Sequence, residues 1–141
     1  MLRHFILLIA LSPSVWAAED TRQKLDFPSM MQQHMLANMR DHLTALMEIQ
    51  QAMASGHYDQ AAEVAEQRLG LSSLDNHGAA HMADKMPPPM QAIGTAMHQA
   101  ASRFAVTVTE TGADGNLQRA VGALGAVMQQ CVACHSAYRV H

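Results

Sequence analysis

The chain has 141 residues with a formal net charge of −3; 49% of residues are apolar and 15% charged. That is enough for one domain around one hydrophobic core. The apolar content excludes a disordered tail protein. A mean hydropathy of −0.05, without an apolar run approaching the ~18 residues of a membrane span, excludes a multi-span membrane protein. No basic block is present, which argues against nucleic acid as a partner. Two cysteines cannot make a disulfide-dense scaffold, whereas 12 methionines and 9 histidines are many for this size.

Residues 1–17 have the layout of a cleaved signal peptide. Arg3 lies in a short positive start, Phe5 to Leu11 form the apolar run, and Val15 and Ala17 stand at the −3 and −1 positions of a cut before Ala18. The remainder, 18–141, is expected to work as a single domain in an oxidising compartment, read as a bacterial periplasm, with membrane contact only during export.

No strand-like alternation appears, and Gly/Pro punctuation divides the rest into helical windows. The first runs from about Pro28 to Ala54, with Leu36, Met39, Leu43, Leu46 and Met53 as its apolar stripe and Gly56 as its stop. Asp59 is the expected N-cap of a shorter helix from Gln60 to about Leu69, closed by Gly70. Leu71 to Pro89 is less regular: Ser72 and Ser73 can cap a short piece that Pro87–Pro89 ends. A long helix follows with Met90, Ile93, Met97, Ala100, Phe104 and Val108 on one stripe. Gly112 to Asn116 is a turn cluster, and Asn116 can cap the last helix. That helix carries Leu117, Val121, Leu124, Met128, Cys131, His135 and Tyr138 at alternating steps of four and three. Four main helices on short loops predict an all-α chain, an antiparallel four-helix bundle.

The chemistry lies in Cys131-Val132-Ala133-Cys134-His135, a C-x-x-C-H run and the attachment pattern for haem c. On a helix, residues three apart share a face, so both thiols can reach the two vinyl groups on one porphyrin edge. His135, beside Cys134, can then ligate iron from the proximal side. A thioredoxin-like pair belongs at a helix start, not near a helix end. A zinc site needs further ligands beyond one C-x-x-C, and a disulfide across two residues is strained and leaves His135 unexplained. Metal and cofactor expectations are therefore one haem c and its iron.

The ending CVACHSAYRVH resembles the class II cytochromes c, the family of cytochrome c′ and the cytochrome c556-like proteins. There the C-x-x-C-H lies near the end of the last helix and is followed by an aromatic and an arginine, matched here by Tyr138 and Arg139. GALGAVMQQ before the motif and Gly56-His57-Tyr58-Asp59 between the first two helices are also similar. The resemblance places the haem near the end of the last helix. It also puts Arg139 near the proximal imidazole, against the plainer role of a solvated arginine at a helix C-terminus. Tyr138 is expected to pack at the haem edge. Gly122 and Gly125 are expected to allow close helix or porphyrin approach. The chain departs from the family in the first helix, where Gln32 or His34 falls near the slot of a family arginine, and in Gly70 to Pro89.

In this family the distal residue on the first helix separates two behaviours. Methionine gives a low-spin iron suited to electron transfer; leucine or phenylalanine leaves an open site that binds gases such as nitric oxide or carbon monoxide. The slot falls between Leu36 and Arg40, and Met39 is its methionine. Met35 is one turn earlier, and His42 or His34 would make a bis-histidine iron; ordinary Met packing in a core is the plainer account of all these methionines. A second class of reading takes His77, His81, Met82, Met86 and Met90, with Met30, Met31, His34 and Met35, as soft ligands of a periplasmic copper-binding protein. The sequence therefore points to an exported monohaem cytochrome carrying single electrons between periplasmic redox partner proteins, with a homodimer open. No acid/base pair or activated nucleophile suggests an enzyme.

Overall fold

A computed structural model describes residues 19–141; the segment read as a signal peptide lies outside the described residues. The protein is all-α, as expected. Its helices are α1 (Ser29–Ala54), α2 (Tyr58–Arg68), α3 (Ala79–Ala83), α4 (Pro88–Asp114) and α5 (Leu117–Ala137). Two very short strands, which no sequence pattern announced, join the two ends of the described chain. β1 (Gln23–Lys24) pairs in parallel with β2 (Tyr138–Arg139), and the Leu25 amide extends the pairing by donating to the Arg139 carbonyl at 2.8 Å. Among the described residues no helix is long and apolar enough to cross a membrane.

Helix ends follow backbone chemistry. Pro28 leads into α1, and Gly56 turns the chain out of it at φ 74°, a left-handed conformation that glycine adopts without steric cost. The second helix starts two residues earlier than expected. Tyr58 opens it and packs on the core, so Asp59 is not the N-cap but sits in the first turn, where its charge meets the positive end of the helix dipole. Gly70 is forced by space, since a Cβ there would stand 2.8 Å from the Glu66 carbonyl oxygen.

Ser72 and Ser73 also differ from expectation. They lie inside a 3₁₀ turn, Leu71–Ser73. Ser72 bonds Glu66 through its amide at 3.1 Å and its hydroxyl at 2.6 Å, and Gly78 at φ 62° occupies the N-cap position of α3. Pro87 and Pro88 open α4 rather than only ending what precedes it, because proline's fixed φ and missing N–H suit the first helical turn. Asn116 caps α5 as expected, its Oδ1 accepting the Arg119 amide at 3.1 Å.

The first helix packs on α2, α2 on α4 and α4 on α5. Ile49, Phe104, Val108 and Val127 form the large side chains of the main core, with fully buried Ala45, Ala61, Ala65, Ala101 and Ala120 among them. The alanines keep the packed faces thin, so the helix axes can approach closely. On the surface Arg68 ties α2 to α1, bonding the Asp41 carboxylate and, at 2.6 Å, Glu48. This exposed network contributes little beyond its geometry.

The stripe expected on α4 is the packed one, with Ile93 half-buried. On the other two long helices the packed rows share only part of the predicted stripes. On α1 the packed row is Met35, His42, Ala45, Ile49, Ala52 and Met53; of the predicted stripe Met53 is buried, whereas Leu36, Met39, Leu43 and Leu46 lie one residue off this row. Short Ala and polar His take places in the packed row, so the bulkier stripe dominated the sequence pattern. On α5 the packed row is Ala120, Leu124 and Val127, whereas Leu117, Val121 and Met128 are exposed. Gly122 and Gly125 have nothing within 4 Å of a Cβ placed on them, so neither serves a close approach within the chain.

Candidate functional site

Leu36, Met39, Leu43 and Leu46 of α1 line a cleft of about 350 Å³ together with Cys131, Cys134 and His135 of α5. The row Leu124, Val127, Cys131 and Cys134 advances by steps of three and four, which carries the packed face of α5 directly into the cleft. Met90, Ile93 and Met97 of α4 contribute a further wall. A smaller apolar cluster closes one end: Leu25 and Phe27 of the N-terminal arm are buried with Met35, Met82 and Met90, and Cys134 and Tyr138 pack against them.

Both thiols are free and half-buried. Burial pushes the Cys131 thiol above its ordinary range; burial and then the neighbouring Cys131 do the same for Cys134. The Cys131 Sγ–H points back to the Val127 carbonyl at 3.7 Å. These are neutral thiols on an apolar wall, not the depressed thiolates of a redox-exchange pair. His135, though exposed, lines the same cleft, and its backbone carbonyl accepts from Arg22 Nη1 at 3.3 Å. That carbonyl is one of the orphan acceptors at a helix C-terminus, so the N-terminal arm caps the helix that carries the motif.

Arg139 lines the rim of the cleft. Its Nη1 donates to the His141 carbonyl at 2.9 Å, and its Nε lies 3.5 Å from the Asp20 carboxylate. The Nε is buried and makes no hydrogen bond among the described residues, so its acidic partner at the rim is Asp20, held as an ion pair.

The predicted distal candidates are placed as follows. Met39 is half-buried and Met35 buried, and both line the cleft on α1. His42 is buried at its inner end. His34 is directed elsewhere, its Nε2 donating to the His77 carbonyl at 2.8 Å. Of the residues in the copper reading, His77, Met82, Met86, Met90 and Met35 line the cleft, while His81 is exposed and Met30 is 82% exposed. Among the described residues no three His, Cys, Asp or Glu side chains form a ready-made metal site.

Sequence reasoning missed a buried polar chain on the inner wall. His42 Nε2 lies 3.4 Å from His77 Nε2, His77 Nδ1 is 3.3 Å from Ser73 Oγ, and His98 Nδ1 is 2.8 Å from the Leu69 carbonyl. Desolvation, with the neighbouring imidazoles, pushes His42 down to about 4; desolvation and His98 lower His77 as well. It also missed Arg22. No periodicity could reveal either, because the partners come from four different segments.

The residues fit a haem. Two neutral thiols three apart and an imidazole beside them line a largely apolar cleft together with the thioethers of Met35 and Met39, and a guanidinium stands at its rim. No family model, curated protein or solved structure matches the chain.

Proposed function

We propose that the protein is an exported class II c-type cytochrome, with its long helices arranged as an antiparallel four-helix bundle, carrying single electrons between periplasmic redox partners. One observation carries this reading: the C-x-x-C-H thiols and His135 share a largely apolar cleft with the thioethers of Met35 and Met39. A haem bound there supplies the one-electron iron couple.

The chain's residues then have distinct tasks. Cys131 and Cys134 are the covalent anchors, and their neutral, half-buried thiols suit addition to apolar vinyl carbons. His135 is the proximal ligand, held at the end of a helix that Arg22 caps. Met39 is the distal ligand, with Met35 the alternative one turn away. The half-buried Leu36 and Leu46 keep the α1 side of the cleft apolar, which raises the reduction potential, as does a thioether opposite imidazole. Arg139 stands at the rim of the cleft, paired there with Asp20.

Optical spectra of periplasmically expressed protein, oxidised and reduced, test the assignment. A low-spin ferric spectrum in the parent that becomes high-spin in Met39→Ala, with Met35→Ala unchanged, is the expected result. A high-spin parent that binds carbon monoxide readily overturns the electron-carrier role in favour of an open, gas-binding site. A chain without covalent haem overturns the whole reading.

A further inference from the structure

The imidazole chain on the inner wall has the features of a metal site separate from the haem ligands. His98 Nδ1 meets the Leu69 carbonyl at 2.8 Å; a carbonyl only accepts, so Nδ1 carries the hydrogen. Ser73 is fully buried and its one hydroxyl hydrogen goes to the Gly70 carbonyl at 2.7 Å. Its oxygen can therefore only accept from His77 Nδ1 at 3.3 Å, which puts the hydrogen of His77 on Nδ1 and the lone pair on Nε2.

Metal-binding histidines are arranged in this way, with the outer nitrogen donating to a fixed oxygen and the inner one free. The free His77 Nε2 faces His42 Nε2 at 3.4 Å. That is long for an N–H···N hydrogen bond. It matches the separation of about 3.3 Å between two nitrogens bound tetrahedrally at ~2.0–2.1 Å to one ion. The two rings are tilted by 59° rather than stacked, so their lone pairs can converge. His98 stands behind, its ring centroid 5.5 Å from that of His77.

We propose that His42 and His77 bind a borderline divalent ion of the zinc or copper(II) class through their Nε2 atoms, with water completing the coordination. Imidazole is the preferred ligand type for this class. Depression of both imidazoles keeps them in the neutral, ligating form at neutral pH. His77 is only half-buried and borders the cleft, which gives the ion a route in. Ser73 is the residue that orients His77, and the Leu69 carbonyl orients His98.

The test uses the chain as isolated after periplasmic expression, with any free thiols alkylated so that Cys131 and Cys134 cannot take the metal whether or not haem is attached. Zinc is titrated against a chromophoric chelator in the parent, in His77→Gln, in His42→Gln, and in a double variant of the exposed histidines, His57→Ala with His81→Ala. The expected result is one zinc per chain, weakened at least about tenfold in each glutamine variant and unchanged in the double variant. Zinc-edge X-ray absorption should then show two imidazole nitrogens at about 2.0–2.1 Å. Zinc binding that survives His77→Gln, is lost in the exposed double variant, or falls below one per chain would overturn the site. Helicity by circular dichroism confirms that each variant is folded, and should His42→Gln unfold, the His77→Gln result decides alone.

Discussion

Acid should destabilise this protein well above the range where carboxylates titrate, and His42 is the reason. In the unfolded chain its imidazole takes up a proton near the ordinary 6.5; in the fold, burial and the adjacent imidazoles hold it down to about 4. Between those values the unfolded state binds more protons, so stability rises with pH across the window and falls as pH drops through it. For a group with these two values the loss between about pH 7 and about pH 5 is about 2 kcal/mol. His77, lowered for the same physical reason, adds in the same direction. Asp41, held low by Arg68, loses its stabilisation only as pH falls past the unfolded carboxylate value near ~4, so the chosen interval isolates the imidazoles. Urea unfolding at the two pH values measures the loss directly, and in His42→Gln most of it should vanish. An equal loss in the variant, or no loss in the parent, would refute the reasoning.

Three other outcomes follow from the packing. Phe104 is fully buried in the main core, so Phe104→Ala should cost about 3–5 kcal/mol in urea unfolding; a loss below about 1 kcal/mol would mean that the core is not packed as described. Asn116→Ala removes the cap bond to the Arg119 amide and should cost about 1 kcal/mol, read as a lower urea midpoint with unchanged slope. In the haem-free chain, alkylation of Cys131 and Cys134 under mildly alkaline conditions should be slower in the folded than in the urea-unfolded state, because burial pushes both thiols up; equal rates would contradict the half-buried placement.

The sequence was most legible where one pattern had one cause. Gly56, the Asn116 cap and the stripe of α4 each reflect a local rule, and the structure follows them. The rows of α1 and α5 were harder to read because a hydrophobic period does not say what the apolar face meets. On α1 several large side chains line a cleft, while Ala45, Ala52 and a histidine take places in the packed row beside Met35, Ile49 and Met53, places that a hydropathy stripe undervalues. On α5 part of the predicted stripe faces solvent. The C-x-x-C-H motif was fully legible, since its spacing is local. The His42–His77 pair, the β1–β2 pairing and the reach of Arg22 to His135 were not, because each joins segments far apart in the chain and leaves no periodic trace.

Covalent haem at Cys131 and Cys134 is the central feature of the proposed cytochrome. Mass spectrometry of the chain after periplasmic expression and full denaturation, in the parent and in Cys131→Ala with Cys134→Ala, tests this directly. The account predicts one haem retained per parent chain through two thioether bonds, and none in the double variant. A denatured parent chain carrying two free thiols and no haem would contradict it.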